Sequence, residues 1–262
     1  MQEKQVVGDE VNQELDCFLR RIRDIRRTLY LAYATLQCGE KVIASIEDHG
    51  IIEPRIGGGI RIEPIPIREL RQYSATLPTF LLQVFHGKAI TLWQDLIQSI
   101  FDIYVDWHFQ GTRGFPELKI RQTKVDLSST ESIEVQIQRQ LKRDFGFQKY
   151  KERVKLVNDI RSASTLRSSE LLEISKHVAV RNAIQHKDGI LDEYALKDHG
   201  RVGFEMLDDN GNEIVYSAGD SLLLSLPEFV RLERSLLLVA QAWRSWLSTT
   251  WILYRSLQKE PL

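Results

Sequence analysis

In the N-terminal part of this chain one series of apolar residues recurs at steps of three and four. Leu15, Phe18, Ile22, Ile25, Leu29, Ala32, Leu36, Gly39, Ile43 and Ile46 hold that alternation without a gap. An α-helix advances 3.6 residues per turn, so the spacing gathers these side chains on one face. The pattern predicts a helix over about residues 10 to 48 that buries one seam against a partner helix. Gly39 leaves a thin spot in that seam. A second seam runs through Leu81, Phe85, Ala89, Leu92, Leu96, Ile100, Ile103 and Trp107, predicting a helix over about 77 to 109. Further apolar residues flank it, which places it centrally in a bundle. A third runs through Leu232, Leu236, Val239, Trp243, Trp246, Thr250, Leu253 and Leu257 and predicts a closing helix over about 226 to 257.

Shorter elements fall between these seams. "SSTE" at 128 to 131 has capping-box spacing and predicts a helix through about 146, with Ile133, Ile137 and Leu141 on one side. "GF" then breaks the chain before another short helical segment. A helix from about 169 draws its apolar contacts from Leu171, Ile174, Val178 and Ile184, ends near His186 and is capped by Gly189. Residues 51 to 67, "IIEPRIGGGIRIEPIPI", read as a Gly/Pro-rich excursion. Its three glycines lack the Lys-Ser/Thr ending of a phosphate-binding loop, so a plain turn is expected. Residues 202 to 224 read as a hairpin around an Asp-Asn-Gly turn. Strands do not alternate with helices, which excludes an α/β sheet fold. The expected architecture is an all-α helical bundle of five or six helices, the long ones antiparallel, with one or two small β-hairpin excursions. It forms a single domain over about 10 to 258.

Composition narrows the function classes. Hydrophobic residues make up 43% of the chain, enough for a substantial core, and the formal charge is −1. A nucleic-acid surface must therefore be a local patch. Residues 20 to 27, "RRIRDIRR", hold five arginines against one acid. Residues 139 to 161 hold eight basic residues against three acids, with Phe145, Phe147 and Tyr150 interleaved. Arg139, Lys142, Arg143, Lys149 and Lys151 are the candidate RNA contacts there, the alternative being a solvated helix face. The stretch from 235 to 254 carries one charge, Arg244. Its apolar residues form a stripe with Gln241, Ser245 and Ser248 elsewhere on the circumference, so a buried helix is expected and no membrane partner. Cys17 and Cys38 would sit about 30 Å apart on one straight helix and cannot pair. With a polar, acidic N-terminus, the expectation is a reducing, cytoplasmic setting.

The stretch that carries chemistry is "RNAIQHKDG", residues 181 to 189. A histidine accepts or donates a proton near neutral pH. An arginine keeps its charge and offers a planar fork of donors to phosphate. Together they suit attack of an RNA 2′-OH on its own phosphate, with arginine stabilising the charge that builds there. Asn182 lies four residues before His186, on the same helical face, and is placed to orient the imidazole or bind phosphate. Arg181 lies about 140° around the helix from His186, so the pair converges less well within one chain. Arg181-Asn182-X3-His186, late in the chain and followed by a turn, a hairpin and a long helix, resembles the Arg-X4-6-His motif of HEPN-domain proteins.

That resemblance implies an all-α bundle and metal-independent endoribonuclease activity giving 2′,3′-cyclic phosphate ends. It implies catalysis by Arg181, Asn182 and His186 with no cofactor and no metal. It also implies a homodimer with a composite active site, and a toxin or anti-phage effector restrained by an antitoxin or another regulatory protein. His177 and Glu173 lie on the same helix and either extend the site or form a solvent-facing polar stripe. The alternative function is a non-catalytic helical module that binds protein or RNA. On that reading Arg181 and His186 are solvated residues of a last helical turn, beside the helix dipole.

Overall fold

The computed structural model describes residues 9–47, 49–53, 63–118, 125–160 and 168–257, with the backbone course alone at 9 and 245–257. Gly57, Gly58 and Gly59 lie outside the described residues, as do the side chains of Trp246, Thr250, Leu253 and Leu257. The chain is a helical bundle with two small antiparallel hairpins. In order it forms α1 (Asp9–Ala44), β1 (Ile51–Ile52), β2 (Ile65–Pro66), α2 (Ile67–Phe109), α3 (Ile133–Phe147) and α4 (Tyr150–Ile160). It continues through α5 (Ser168–His186), α6 (Glu193–Asp198), β3 (Phe204–Leu207), β4 (Glu213–Tyr216) and α7 (Leu226–Leu257). Strand β1 pairs with β2, and β3 with β4. Among the described residues, no helix is long and apolar enough to cross a membrane.

Three elements depart from the expected boundaries, each for a local reason. Helix α2 begins at Ile67, not near 77, and carries Pro78 inside it. Tertiary contacts hold the turns before the proline. Ile67 is fully buried, and Arg71 Nη2 donates to the Ile46 carbonyl at 2.6 Å and to Ile43 at 3.3 Å, satisfying the end of α1. Helix α3 is capped by Ser132, whose side chain accepts from Val135 N–H at 3.2 Å, and not by the "SSTE" box. Asp126 instead takes both the backbone N–H and the hydroxyl of Ser128 into a turn ahead of the helix. Helix α6 brings the number of described helices to seven. Its N-cap is Asp192, which accepts from Ala195 N–H at 2.7 Å.

Contacts within the chain cluster into two compact units, one of residues 1–22, 89–180 and 231–262, the other of residues 23–88 and 181–230. The first unit is built on aromatics. Trp93 is fully buried, stacks on Trp243 with centroids 5.1 Å apart and donates to Tyr150 Oη at 2.8 Å. Trp243 in turn donates to Asn158 Oδ1 at 3.1 Å, so both indole N–H groups are satisfied inside the core. Phe101 and Phe145 stack at 3.7 Å and fasten α3 to α2.

The second unit packs the C-terminal part of α1 beside the N-terminal part of α2 and holds both hairpins. The start of α7 in this unit is a capping box, Ser225-Leu226-Pro227-Glu228. Ser225 Oγ accepts from Glu228 N–H at 3.2 Å, and the buried Glu228 carboxylate accepts from Leu207 N–H at 2.8 Å. Ser225 Oγ also donates to the Leu207 carbonyl. One short sequence thus caps a helix and ties down the hairpin. Replacing Ser225 with alanine should cost about 1–2 kcal/mol in chemical denaturation, the upper part of the range for a lost N-cap. A change within experimental error would show that the cap is dispensable.

Candidate functional site

Helix α5 brings the motif to the surface at its C-terminal end. Ala183 is buried, and α2 passes so close that a β-carbon at Gly87 would meet Gln185 Nε2 at 3.4 Å. The outward face carries Asn182 and His186, both exposed. Arg181 is half-buried between these faces and donates from Nη1 to Asn182 Oδ1 at 3.1 Å. Its Nε–H is buried and makes no hydrogen bond among the described residues. Asn182, expected to orient the imidazole or bind phosphate, accepts from the guanidinium. His186 stands one turn further on, with no bond to Asn182 among the described residues.

The helix stops abruptly after His186. The Ala183 carbonyl accepts from Lys187 N–H at 2.9 Å and again from Gly189 N–H at 3.1 Å. Both Asp188 (φ 52°) and Gly189 (φ 80°) are left-handed. Asp tolerates that conformation better than most side chains and Gly adopts it freely, so the terminator is the pair, not Gly189 alone. The chain beyond is clamped to residues 219–222. Leu222 N–H donates to Gly189 O at 2.9 Å, Leu191 N–H to Asp220 O at 3.0 Å and Gly219 N–H to Leu191 O at 2.8 Å.

Glu173 and His177 belong to the first unit. His177 is fully buried and Lys176 nearly so, which overturns the solvent-facing stripe. Glu173 Oε1 forms ion pairs with Lys176 Nζ at 2.6 Å and Arg231 Nε at 3.1 Å and a hydrogen bond with His177 Nε2 at 3.2 Å. Desolvation pushes the Glu173 carboxyl up. The His177 hydrogen bond and the charges of His177 and Lys176 outweigh it, holding the group at about 2. This is an ion cluster inside the first unit, where α5 meets α7.

The basic stretch belongs to the first unit as well, while Arg181, Asn182 and His186 belong to the second. Among its cations, Arg139 is engaged by Glu131, Lys142 by Asp106 at 2.5 Å, and Arg153 by the Gln94 carbonyl at 3.3 Å and the face of Phe145. Of its three aromatics, Phe145 is core and Tyr150 accepts from Trp93, which leaves Phe147, 83% exposed, as the one open to a base. Arg143, Lys149 and Lys151 are exposed.

Two supports of the motif were not anticipated from sequence. The clamp to 219–222 uses only backbone atoms and leaves no side-chain signal. The Ser225 box did carry one, its Ser-x-x-Glu spacing. No family model, no curated protein and no solved structure matches this chain.

Proposed function

We propose that this chain is a metal-independent endoribonuclease whose chemistry is carried by Arg181, Asn182 and His186. The observation that carries the reading is the exposed end of α5, where an Asn-held guanidinium with unspent donors and an open imidazole lie on successive helical turns. His186 takes the proton from a 2′-OH or returns one to the departing 5′-oxygen. The 2′-oxygen attacks the adjacent phosphorus, the P–O5′ bond breaks, and the products are a 2′,3′-cyclic phosphate and a 5′-hydroxyl. Arg181 places its fork on the phosphate oxygens, where negative charge builds. Asn182 fixes the guanidinium plane, which matters because that group binds by geometry as much as by charge. Strength in this arrangement comes from preorganisation, since neither the helix end nor the guanidinium must reorder when RNA arrives.

The test is cleavage of several RNAs by the purified chain in excess EDTA, with wild type beside His186→Ala. Products are examined for 2′,3′-cyclic ends. Cutting by wild type that disappears in the variant is expected. Equal cutting by both would remove His186 from the site and the proposal with it.

A further inference from the structure

Helix α2 presents an uncovered apolar seam in the second unit. Tyr73, Leu77, Phe80 and Val84 follow one another at steps of four, three and four, so they line one face. They are 65%, 37%, 59% and 48% exposed. The other side of the same helix is packed, with Leu82 and His86 buried. Scattered exposed apolar residues are ordinary, but a continuous row at seam spacing marks a surface built to be covered. One further turn at each end brings in a charge on the same face, Glu69 before the row and Lys88 after it. Both are exposed, and neither has an ion-pair partner among the described residues.

From this arrangement we infer that the α2 seam is the contact between two copies of the chain, paired antiparallel about a two-fold axis. The residue pattern is self-complementary. About a point midway between Pro78 and Thr79, Leu77 falls opposite Phe80 of the second copy, Tyr73 opposite Val84, and Glu69 opposite Lys88. Every apolar residue meets an apolar residue, and the unpaired acid meets the unpaired base twice. A two-fold interface requires exactly this property, that a surface complement itself. The 3,4 spacing suits helices packed with interlocking side chains. The flanking positions, Gln72, Thr76 and Gln83, are polar and uncharged. They lack the cationic border that a helix lying on an anionic lipid surface uses.

The inference stands apart from the nuclease reading. The motif lies near the Lys88 end of the seam, since Gly87 approaches Gln185. In the antiparallel pair the two motifs therefore sit about 25 Å apart along the seam, at 1.5 Å of rise per residue. Each works with its own protomer, in contrast to the composite site implied by the HEPN resemblance.

Sedimentation and light scattering of the full chain across micromolar concentrations test the proposal. Wild type is expected to be a dimer and Phe80→Glu, an exposed substitution, a monomer with unchanged circular dichroism. Charge reversal provides a second arm that leaves the apolar row intact. Glu69→Lys and Lys88→Glu each place like charges opposite one another and should raise the dimer Kd about tenfold. The double variant Glu69→Lys/Lys88→Glu restores opposite charges and should return it to the wild-type value. A monomeric wild type, a Phe80→Glu dimer, or reversals that do not rescue one another would each overturn the inference.

Discussion

Purified His186→Ala protein is expected to cut RNA about a thousandfold more slowly than wild type, within the range lost when a positioned acid–base group is removed. The same substitution should leave stability within about 0.5 kcal/mol, because His186 is exposed and caps nothing. That combination separates a catalytic loss from an unfolded protein. Arg181→Lys makes a sharper contrast. It keeps the charge and removes the planar fork, so a loss of about a hundredfold is expected if the guanidinium binds phosphate by geometry. Asn182→Ala should do less, since it touches the phosphate only through Arg181. Wild-type rates in both His186→Ala and Arg181→Lys would mean that the end of α5 is an ordinary solvated helix terminus.

Glu173→Gln should destabilise the chain by about 3 kcal/mol near neutral pH. One carboxylate oxygen there serves Lys176, His177 and Arg231, two of which are almost wholly withdrawn from water. Removing a charge from such a cluster costs far more than losing a surface pair. The depressed acidity leads to a similar figure, because a fall from 4.5 to about 2 corresponds to about 3 kcal/mol at 1.36 kcal/mol per unit. It also sets the pH window. The folded carboxyl is depressed, so its contribution is fully present above about pH 4.5 and is lost as pH falls towards 2. Urea denaturation of wild type and variant should therefore differ most at neutral pH and converge as pH falls to about 2. A gap of constant size across that range would contradict the cluster.

The long seams of α1, α2 and α7 were legible because a repeated step of three and four has only one regular structure that places it on a face. Leu15, Phe18, Ile22, Ile25 and Leu29 are all buried as their spacing requires. Helix α2 was read short because the seam read from its spacing begins at Leu81, and only the contacts of Ile67 and Arg71 show why the turns before Pro78 persist. Glu173 and His177 do share one face, as their spacing requires, but the solvent-facing stripe, one of the two alternatives for them, fails because His177 is buried. Periodicity reports which residues share a face; it says nothing of what covers it. Phe145 and Phe147 teach the same lesson, one stacked in the core and the other open, two positions apart. In the motif itself, the bond from Arg181 to Asn182 was invisible because adjacent residues on a helix normally diverge.

The clamp between residues 189–191 and 219–222 has a consequence for how this chain can vary. Its bonds join peptide groups, and a peptide group is the same whatever side chain it bears. Substitutions other than proline at the exposed Ile190 and Ser221 should leave the helix terminus where it is, whereas Leu191 and Leu222 are buried and Gly189 and Gly219 left-handed. A lineage could redecorate the rim of the His186 surface without moving the imidazole. Insertions would behave differently, since a single added residue shifts the pairing and breaks the register of the clamp. Tolerance to exchange and intolerance to length change should therefore coexist within the same few residues.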